Sequence, residues 1–349
     1  MPAISKSKIL FLAFGHGLND CIAGFFLGSL ALMKIDPMQI GIGVTAYNLL
    51  AFGGQYPVAI LFEKKIFPKN FLVVACGLNI AAVIVFFFSP QLAIILAGVA
   101  SAFYHVAGGT VCATGKKAFH IGLFAAPGVA GLIAGGLLAW NQINIINILF
   151  ILTVLFFLII SRLKFDLPET KGKEINNGIE KILLDRHDMI MILLLLIVSL
   201  RSAVWNIFQL VYDNNLEWLI ATGVAACIGK IAGGWLADKI GWKLYAFSSI
   251  LLATPLLTFF RKEMFLFSLG IGLLQSGIPA TTALMIQSLK WKTARGISLS
   301  FGLSIILGAL VGFFPLNYLL KQMPFILVLS FLLLAFYNFW GNKEKSLPI

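Results

Sequence analysis

Long apolar runs alternate with short polar clusters along almost the whole chain. The runs are about 18–24 residues long, enough for a helix to cross a bilayer. We predict twelve such spans, at 8–31, 39–62, 70–88, 91–114, 118–139, 144–161, 188–213, 217–237, 243–260, 264–288, 294–316 and 322–341. A longer polar stretch divides six spans from six. We therefore predict an all-α membrane protein with the domains 1–161 (an N-terminal six-helix bundle), 162–187 (a cytoplasmic linker) and 188–349 (a C-terminal six-helix bundle).

Composition supports a multi-pass membrane protein. Hydrophobic residues make up 60% of the 349 positions and charged residues 11%, whereas a soluble domain is roughly 45–50% apolar. The net charge of +12 comes from Lys and Arg gathered in loops on the side of the N-terminus. This asymmetry predicts that both termini are cytoplasmic, in a cytoplasmic (inner) membrane, and it explains the charge without nucleic acid. The four cysteines lie in four different spans, which predicts neither a disulfide framework nor a metal site.

The first span carries two ionisable residues in the stretch GHGLNDCIAG. His16 and Asp20 are four residues apart and share one face of a helix. An ionisable pair inside hydrocarbon is costly, so it is expected to face a protein interior or a watery cavity. We expect Asp20 to carry protons, because burial disfavours its charged form. His16 and His105 would tune or relay those protons, although packing roles for both remain open.

Polar residues from several spans fall at one depth. Asp20, His105, Arg201 and Gln275 lie beside the midpoints of spans one, four, seven and ten, where transporters hold substrate between their halves. The predicted substrate-binding residues are Arg201, Asn19, Asn48, Tyr104, Trp205, Gln209 and Gln275. Arg201 would hold an anionic group or pair with Asp20, as a switch or as a fixed ion pair.

Lys230 adds a second cation to this region. It lies about two turns inside span eight, and we favour a side chain that reaches out to the cytoplasmic surface. If it faced inward instead, two cations against one carboxylate would favour a substrate with a phosphate, phosphonate or carboxylate group.

The loop after span eight reads GWLADKIGWK and resembles the major facilitator superfamily signature G-x-L-x-D-[RK]-x-G-[RK]-[RK], with Trp242 at one basic position. The matching residues are Gly234, Asp238, Lys239, Gly241 and Lys243. Gly234 would allow close helix packing, and Asp238 would sit near a neighbouring helix N-terminus, where a carboxylate is favoured. The resemblance implies a gating role. The corresponding loop after span two, AILFEKKIFPK, keeps Glu63 but lacks both glycines.

The fifth span resembles the antiporter signature of the same superfamily, G-x-x-x-G-P-x-x-G-G. It reads GLFAAPGVAG and retains Gly122, Pro127 and Gly131, with Ala126 and Ala130 in place of two glycines. The resemblance implies export coupled to an inward ion flow. The alternative is an ordinary packing face of small residues with a proline kink.

A narrower resemblance links the chain to the fosmidomycin-resistance branch of the superfamily. It rests on H-x-x-N-D in span one, SAFYHVAGG in span four, the Lys117–Gly131 pattern and LRS in span seven. That branch exports small drugs in exchange for protons. The chain departs from it after His105, where Val106 and Ala107 replace the usual proline and glutamate, so the branch's coupling scheme does not carry over whole.

Together these features predict a secondary active transporter of the major facilitator fold, a monomer that needs no cofactor and no metal. It would move a small anionic or amphipathic molecule outward, coupled to protons, by alternating access. One alternative is an importer or uniporter of a small anionic metabolite. Another is a membrane-embedded lipid-handling or assembly protein. No nucleophile–base pair, metal-ligand spacing or phosphate-binding loop was recognised in the sequence, so we do not expect an enzyme.

Overall fold

The computed structural model describes residues 4–33, 37–65, 67–165, 186–211, 215–290, 292–313 and 315–341, and the regular secondary structure in these ranges is all helical. The first half contains α1 (Lys6–Leu32), α2 (Pro37–Asn48), α3 (Gln55–Lys65), α4 (Pro68–Phe86), α5 (Pro90–Ala113), α6 (Ala118–Trp140) and α7 (Ile146–Ile160). The second half contains α8 (Arg186–Val211), α9 (Leu216–Ile240), α10 (Trp242–Phe259), α11 (Met264–Ser276), α12 (Ile278–Ser288), α13 (Thr293–Ser298), α14 (Ser304–Ala309) and α15 (Leu316–Gly341).

Helix covers part of each of the twelve predicted spans. Eight helices in the described residues are long and apolar enough to cross a membrane, and three more apolar stretches are shorter, at Ile146–Ile160, Thr293–Ala309 and Lys321–Ala335. The multi-pass, all-α class is therefore confirmed, while the count of twelve spans stays a prediction. Most of the predicted linker 162–187 lies outside the described residues, so the domain boundaries also stay predictions.

Local sequence signals explain several helix ends. The side chains of Ser5, Ser89 and Asn215 accept hydrogen bonds from backbone N–H groups in the first turns of α1, α5 and α9, as N-cap residues do. Gly241 separates α9 from α10 with φ of 99°. Since that backbone conformation strongly favours glycine, this position of the loop signature has a local structural reason.

A π-helical turn interrupts one helix in each half. The first π turn, Leu49–Gly53, lies between α2 and α3, and the second, Leu299–Leu303, lies between α13 and α14. The two π turns contact each other where the halves meet. π turns occur mostly as single turns inside α-helices and frequently at functional sites.

Small residues let α1 and α6 approach closely. The backbone oxygens of Gly17, Cys21 and Leu132 occupy the space that a side chain would need at Gly131, Gly135 and Gly24. In lipid such close packing takes the place of a hydrophobic driving force between helices. The other side of α6 packs on α9, so α6 connects the first half to the second beside the central cavity.

Candidate functional site

A cavity of about 240 Å³ lies between the two halves. Nine of its lining residues are polar and come from both halves: His16, Asp20, Asn48, His105, Ser202, Asn206, Lys230, Gln275 and Ser300. The remaining lining residues are aliphatic and aromatic, with one glycine. A mostly apolar wall with a few convergent polar groups is typical of small-molecule sites.

Three ionisable side chains from α1 and α5 form one cluster at this cavity. His16 Nε2 lies 2.9 Å from His105 Nε2 and 3.2 Å from Asp20 Oδ2. His105 Nε2 lies 3.9 Å from the same carboxylate oxygen. Both rings are almost fully buried. We call these three residues the His–Asp cluster; it places together the residues that the sequence assigned to proton coupling.

Backbone carbonyls fix how the two rings carry hydrogen. His16 Nδ1 lies 2.7 Å from the Phe124 carbonyl oxygen, and His105 Nδ1 lies 2.8 Å from that of Ser101. A carbonyl oxygen only accepts, so His16 Nδ1 and His105 Nδ1 each carry a hydrogen. With Asp20 ionised, the contact between His16 Nε2 and Asp20 is a hydrogen bond only if His16 carries a second hydrogen. The arrangement is therefore suited to holding an exchangeable proton shared among the three side chains.

Two asparagines hold Asp20 from behind. Asn19 Nδ2 donates to Asp20 Oδ1 at 2.8 Å, and Asn79 Nδ2 donates to Asn19 Oδ1 at 2.8 Å. Both asparagines are buried, and neither lines the cavity. Asn19 therefore positions the carboxylate in this conformation, and its predicted contact with substrate stays a prediction. Asn79 was not predicted, since a single asparagine in an apolar span gave no signal.

The His–Asp cluster also has the composition of a metal site. The three side chains offer ligand atoms within 4.8 Å of one another. Tetrahedral zinc with bonds of about 2.0–2.1 Å would hold two nitrogen ligands about 3.3 Å apart. The 2.9 Å between the two Nε2 atoms is a hydrogen-bond distance, so this geometry fits a shared proton better than a metal ion.

The second half contributes a cation, and it is Lys230. Its residue lines the cavity, which corrects the outward orientation favoured from the sequence. The reason is depth. Ten residues of helix separate Lys230 from the end of α9 at Ile240, a rise of about 15 Å that a lysine side chain does not span.

Arg201 is placed elsewhere. It is absent from the cavity wall and is 0% exposed. Its Nη2 donates to the Ala246 carbonyl at 2.8 Å and to Ser249 Oγ at 3.2 Å, both on α10. This conformation therefore does not place Arg201 at the cavity, and its predicted roles in substrate binding and in pairing with Asp20 stay predictions. Val198, Ser202 and Trp205 mark the face of α8 that lines the cavity, and Arg201 lies on the flank of that face.

The other predicted substrate-binding residues divide between the cavity and the core. Asn48, Trp205 and Gln275 line the cavity. Tyr104 does not; its hydroxyl donates to the Leu12 carbonyl at 2.8 Å, and the side chain is buried. The side chain of Gln209 lies outside the part of the chain that the structure describes.

The loop signature joins the two halves at the end of α9. Asp238 accepts hydrogen bonds from the backbone N–H groups of Ala118 at 2.8 Å and Phe119 at 3.0 Å, at the N-terminus of α6. Trp242 Nε1 also donates to Asp238 Oδ1, at 2.8 Å. Trp242 stands where the signature has a basic residue, and it binds the same carboxylate. Gly234 packs against the backbone of Ala118 and Phe119. The carboxylate thus lies at a helix N-terminus, as expected from the sequence.

The two lysines of the signature contact aromatic rings in the second half. Lys239 Nζ lies 3.7 Å from the centroid of the Trp235 ring, and Lys243 Nζ lies 5.4 Å from that of Tyr337. Such cation–π contacts are modest at exposed sites. Among the charged residues of the signature, Asp238 therefore makes the contact between halves.

A second contact between halves was missed in the sequence. Glu63, at the end of α3, pairs with Arg295 Nε at 2.7 Å and accepts from the Arg295 backbone N–H at 3.3 Å. Glu63 therefore connects α3 of the first half to α13 of the second, just as Asp238 connects α9 of the second half to α6 of the first. The sequence signal for this contact is Glu63, the acidic residue kept in AILFEKKIFPK. It was not recognised because this loop lacks both glycines of the signature.

The antiporter-like stretch of α6 is a packing face. Gly122 packs against the Lys230 backbone and Pro279, and Gly131 against the Gly17 backbone. Pro127 lies inside α6. These contacts account for the small residues without assigning a direction of transport.

Gly131→Ala is expected to destabilise the protein, because its methyl group would collide with the Gly17 carbonyl oxygen. Overpacking of this kind costs about 1–3 kcal/mol, and thermal unfolding in detergent would report it. Gly136→Ala, on the same helix, is the matched control, since its nearest neighbour would lie at 3.8 Å. Equal unfolding temperatures for the two variants would contradict the close packing of α1 on α6.

No family model and no curated protein sequence matches the chain, but solved structures do. FucP, a major facilitator superfamily transporter in its outward conformation, matches with a TM-score of 0.72 and 16% identity over 95% of this chain and 98% of that one. The E. coli fucose:proton symporter FucP, in a second structure, gives 0.68 and 15% over 95% and 98%. The human organic anion transporter MFSD10 gives 0.63 and 11% over 96% and 100%.

At these identities the likeness establishes the fold. The chain has the fold of major facilitator superfamily transporters, as the loop signature predicted. The fosmidomycin-resistance branch stays a prediction.

Proposed function

We propose that the chain is a proton-coupled secondary transporter of a small organic anion, working by alternating access. The observation that carries this proposal is that one cavity is lined by the His–Asp cluster from the first half and by Lys230 from the second. In transporters the substrate and coupling-ion sites lie near the midplane between the repeats. A proton on the cluster and an anion at Lys230 would then bind on two sides of the same cavity.

The charges favour binding of the anion and the proton together. An anion entering the cavity adds a negative charge opposite Asp20, which favours the protonated carboxyl group. By linkage, a proton on the cluster raises the affinity for the anion by the same factor. The names of two fold relatives, a fucose:proton symporter and an organic anion transporter, are consistent with this coupling and this charge. Co-transport of anion and proton is therefore our first candidate.

Export in exchange for protons is the second candidate. The antiporter-like stretch of α6 and the resemblance to the fosmidomycin-resistance branch favour it. In exchange the proton and the substrate must compete, so each would weaken the binding of the other. Uniport of an anion would leave the His–Asp cluster without a role.

The contacts of Asp238 and Glu63 form the gate in this proposal. Glu63 lies near the C-terminal end of α3 and Asp238 near that of α9, and the Lys and Arg distribution predicts that both following loops are cytoplasmic. Closing this end would leave the cavity to open on the other side. The two π turns would be the bending points. Gln55, the first residue of α3, holds the second turn through a hydrogen bond from its Nε2 to the Phe301 carbonyl at 3.1 Å. The protein would act as a monomer in a cytoplasmic (inner) membrane.

Proteoliposomes filled with a pH-sensitive dye would test the proposal. A panel of membrane-impermeant organic anions is added outside, and internal pH is followed. Co-transport predicts that at least one anion acidifies the interior, whereas exchange predicts that it makes the interior more alkaline. Protein-free liposomes are the control. If no anion moves protons in either direction across a range of pH values, proton-coupled anion transport is contradicted.

A further inference from the structure

We propose that the cavity takes an organic molecule with a single negative charge, a carboxylate or a sulfonate, on a flat apolar body of one ring. This inference rests on the proposed function and narrows its substrate. It disfavours the phosphate and phosphonate groups that would be expected if both Arg201 and Lys230 faced the cavity.

The charge follows from counting cations at the cavity. Among the described lining residues, Lys230 is the one Lys or Arg side chain, and Arg201 is buried outside the wall. The two histidines hydrogen-bond to each other and lie beside Asp20. One ammonium group compensates one negative charge. A second negative charge would have no Lys or Arg partner among these lining residues, and an unpaired charge in a desolvated site is costly. Phosphomonoesters carry about −1.5 to −2 charges at neutral pH, which disfavours them.

The shape follows from the walls. Phe52 and Phe301 come from the two π turns, and Trp205 comes from α8. Three aromatic side chains around one small space favour a flat partner that can stack or pack edge to face. The amide groups of Asn48, Asn206 and Gln275 line the same cavity, and they supply hydrogen-bond donors for anionic oxygens.

The size follows from the volume. The cavity measures about 240 Å³, just below the roughly 300–1,000 Å³ of drug-sized ligand sites. A single ring with one charged substituent fits this space. The combination of volume, aromatic wall and one ammonium group therefore specifies a small monoanion.

Three sulfonyl compounds on one ring test the effect of charge. The sulfonate and the sulfonamide match in size, whereas the disulfonate adds a second charged group. Benzenesulfonate carries one negative charge, benzenesulfonamide none at neutral pH, and benzenedisulfonate two. The charge of the sulfonates does not change across the pH range of the experiment. Binding to the purified full-length protein in detergent is measured by calorimetry and by thermal shift, since a ligand that binds the folded state stabilises it. We expect benzenesulfonate to bind at least about tenfold more tightly than either of the other two.

Lys230→Gln is expected to weaken benzenesulfonate binding by at least about tenfold, and Lys230→Arg to retain most of it. Lys262→Gln removes a charge from an exposed loop and should leave the affinity unchanged. The unfolding temperature of each variant without ligand shows whether it is folded, and Lys230→Arg keeps the test valid if the glutamine variant unfolds.

Two results would overturn the substrate class. One is binding of benzenedisulfonate or benzenesulfonamide as tight as that of benzenesulfonate; the other is unchanged affinity in a folded Lys230→Gln variant. Either could occur while other anions still drive proton movement in liposomes, in which case the proposed function stands. Tight, Lys230-dependent binding without any proton movement would instead contradict the proposed function and keep the substrate class.

Discussion

Asp20→Asn is expected to abolish proton-driven accumulation of benzenesulfonate in proteoliposomes. Asparagine keeps the shape and hydrogen bonding of a protonated carboxyl group but takes up no proton. The variant should therefore equilibrate the anion down its own gradient, to an internal-to-external ratio of about one, under a proton gradient that drives accumulation by the wild type. Its affinity should match that of the protonated wild type at every pH.

The matched control for this variant is Glu217→Gln. It removes a carboxylate from the exposed first turn of α9, far along the helix from Lys230, and should leave accumulation unchanged. Persistent accumulation in the Asp20→Asn variant would mean that another group carries the coupling proton, and the His–Asp cluster would lose its proposed role.

Asp238→Ala is expected to shift the gate toward its open state. The substitution removes an acceptor shared by two backbone N–H groups of α6 and by Trp242. Hydrogen bonds to a charged group contribute about 1.5–3 kcal/mol each. In the open state water replaces some of these hydrogen bonds to Asp238. We therefore expect a net shift of about 2 kcal/mol, on the order of 30-fold in the equilibrium between the closed and open states.

Spin labels at Asn70 and Leu244, exposed residues near this end of each half, would report the shift as a longer inter-label distance. The labels require a background without the four native cysteines. Lys239→Gln is the control, because its ammonium group stacks on Trp235 of the same helix and does not join the halves. Identical distance distributions in Asp238→Ala and the parent protein would contradict the gate.

The sequence predicted the parts of the site that depend on spacing within one helix. His16 and Asp20 are four residues apart, and their side chains meet at 3.2 Å. The loop signature likewise predicted that Asp238 would lie at a helix N-terminus. In both cases local geometry and the cost of a buried charge leave few alternatives.

The sequence did not predict which side of an apolar helix faces the cavity. Helices α8 and α9 are hydrophobic on most of their surface, so periodicity does not mark an inner face. The sequence therefore did not show that Lys230 lines the cavity or that Arg201 packs against α10 in this conformation. Depth in the membrane placed Arg201 near the midplane, but rotation about the helix axis, set by packing with α10, turned it into the core.

Contacts between halves were predictable only where a signature survived. The loop of Asp238 keeps both signature glycines, so its contact was predicted. The loop of Glu63 lacks them, and the contact of Glu63 with Arg295 was missed. The two π turns gave no signal, because a single extra residue in a helix leaves the hydrophobic pattern almost unchanged.

The central claim is that an anion at Lys230 and a proton on the His–Asp cluster bind together. Calorimetry of benzenesulfonate binding to the wild-type protein in two buffers of different ionisation enthalpy measures the protons exchanged on binding. Our account predicts net uptake of protons, up to about one per anion bound, and tighter binding at lower pH. Release of protons, or binding that exchanges none at any pH, would contradict it.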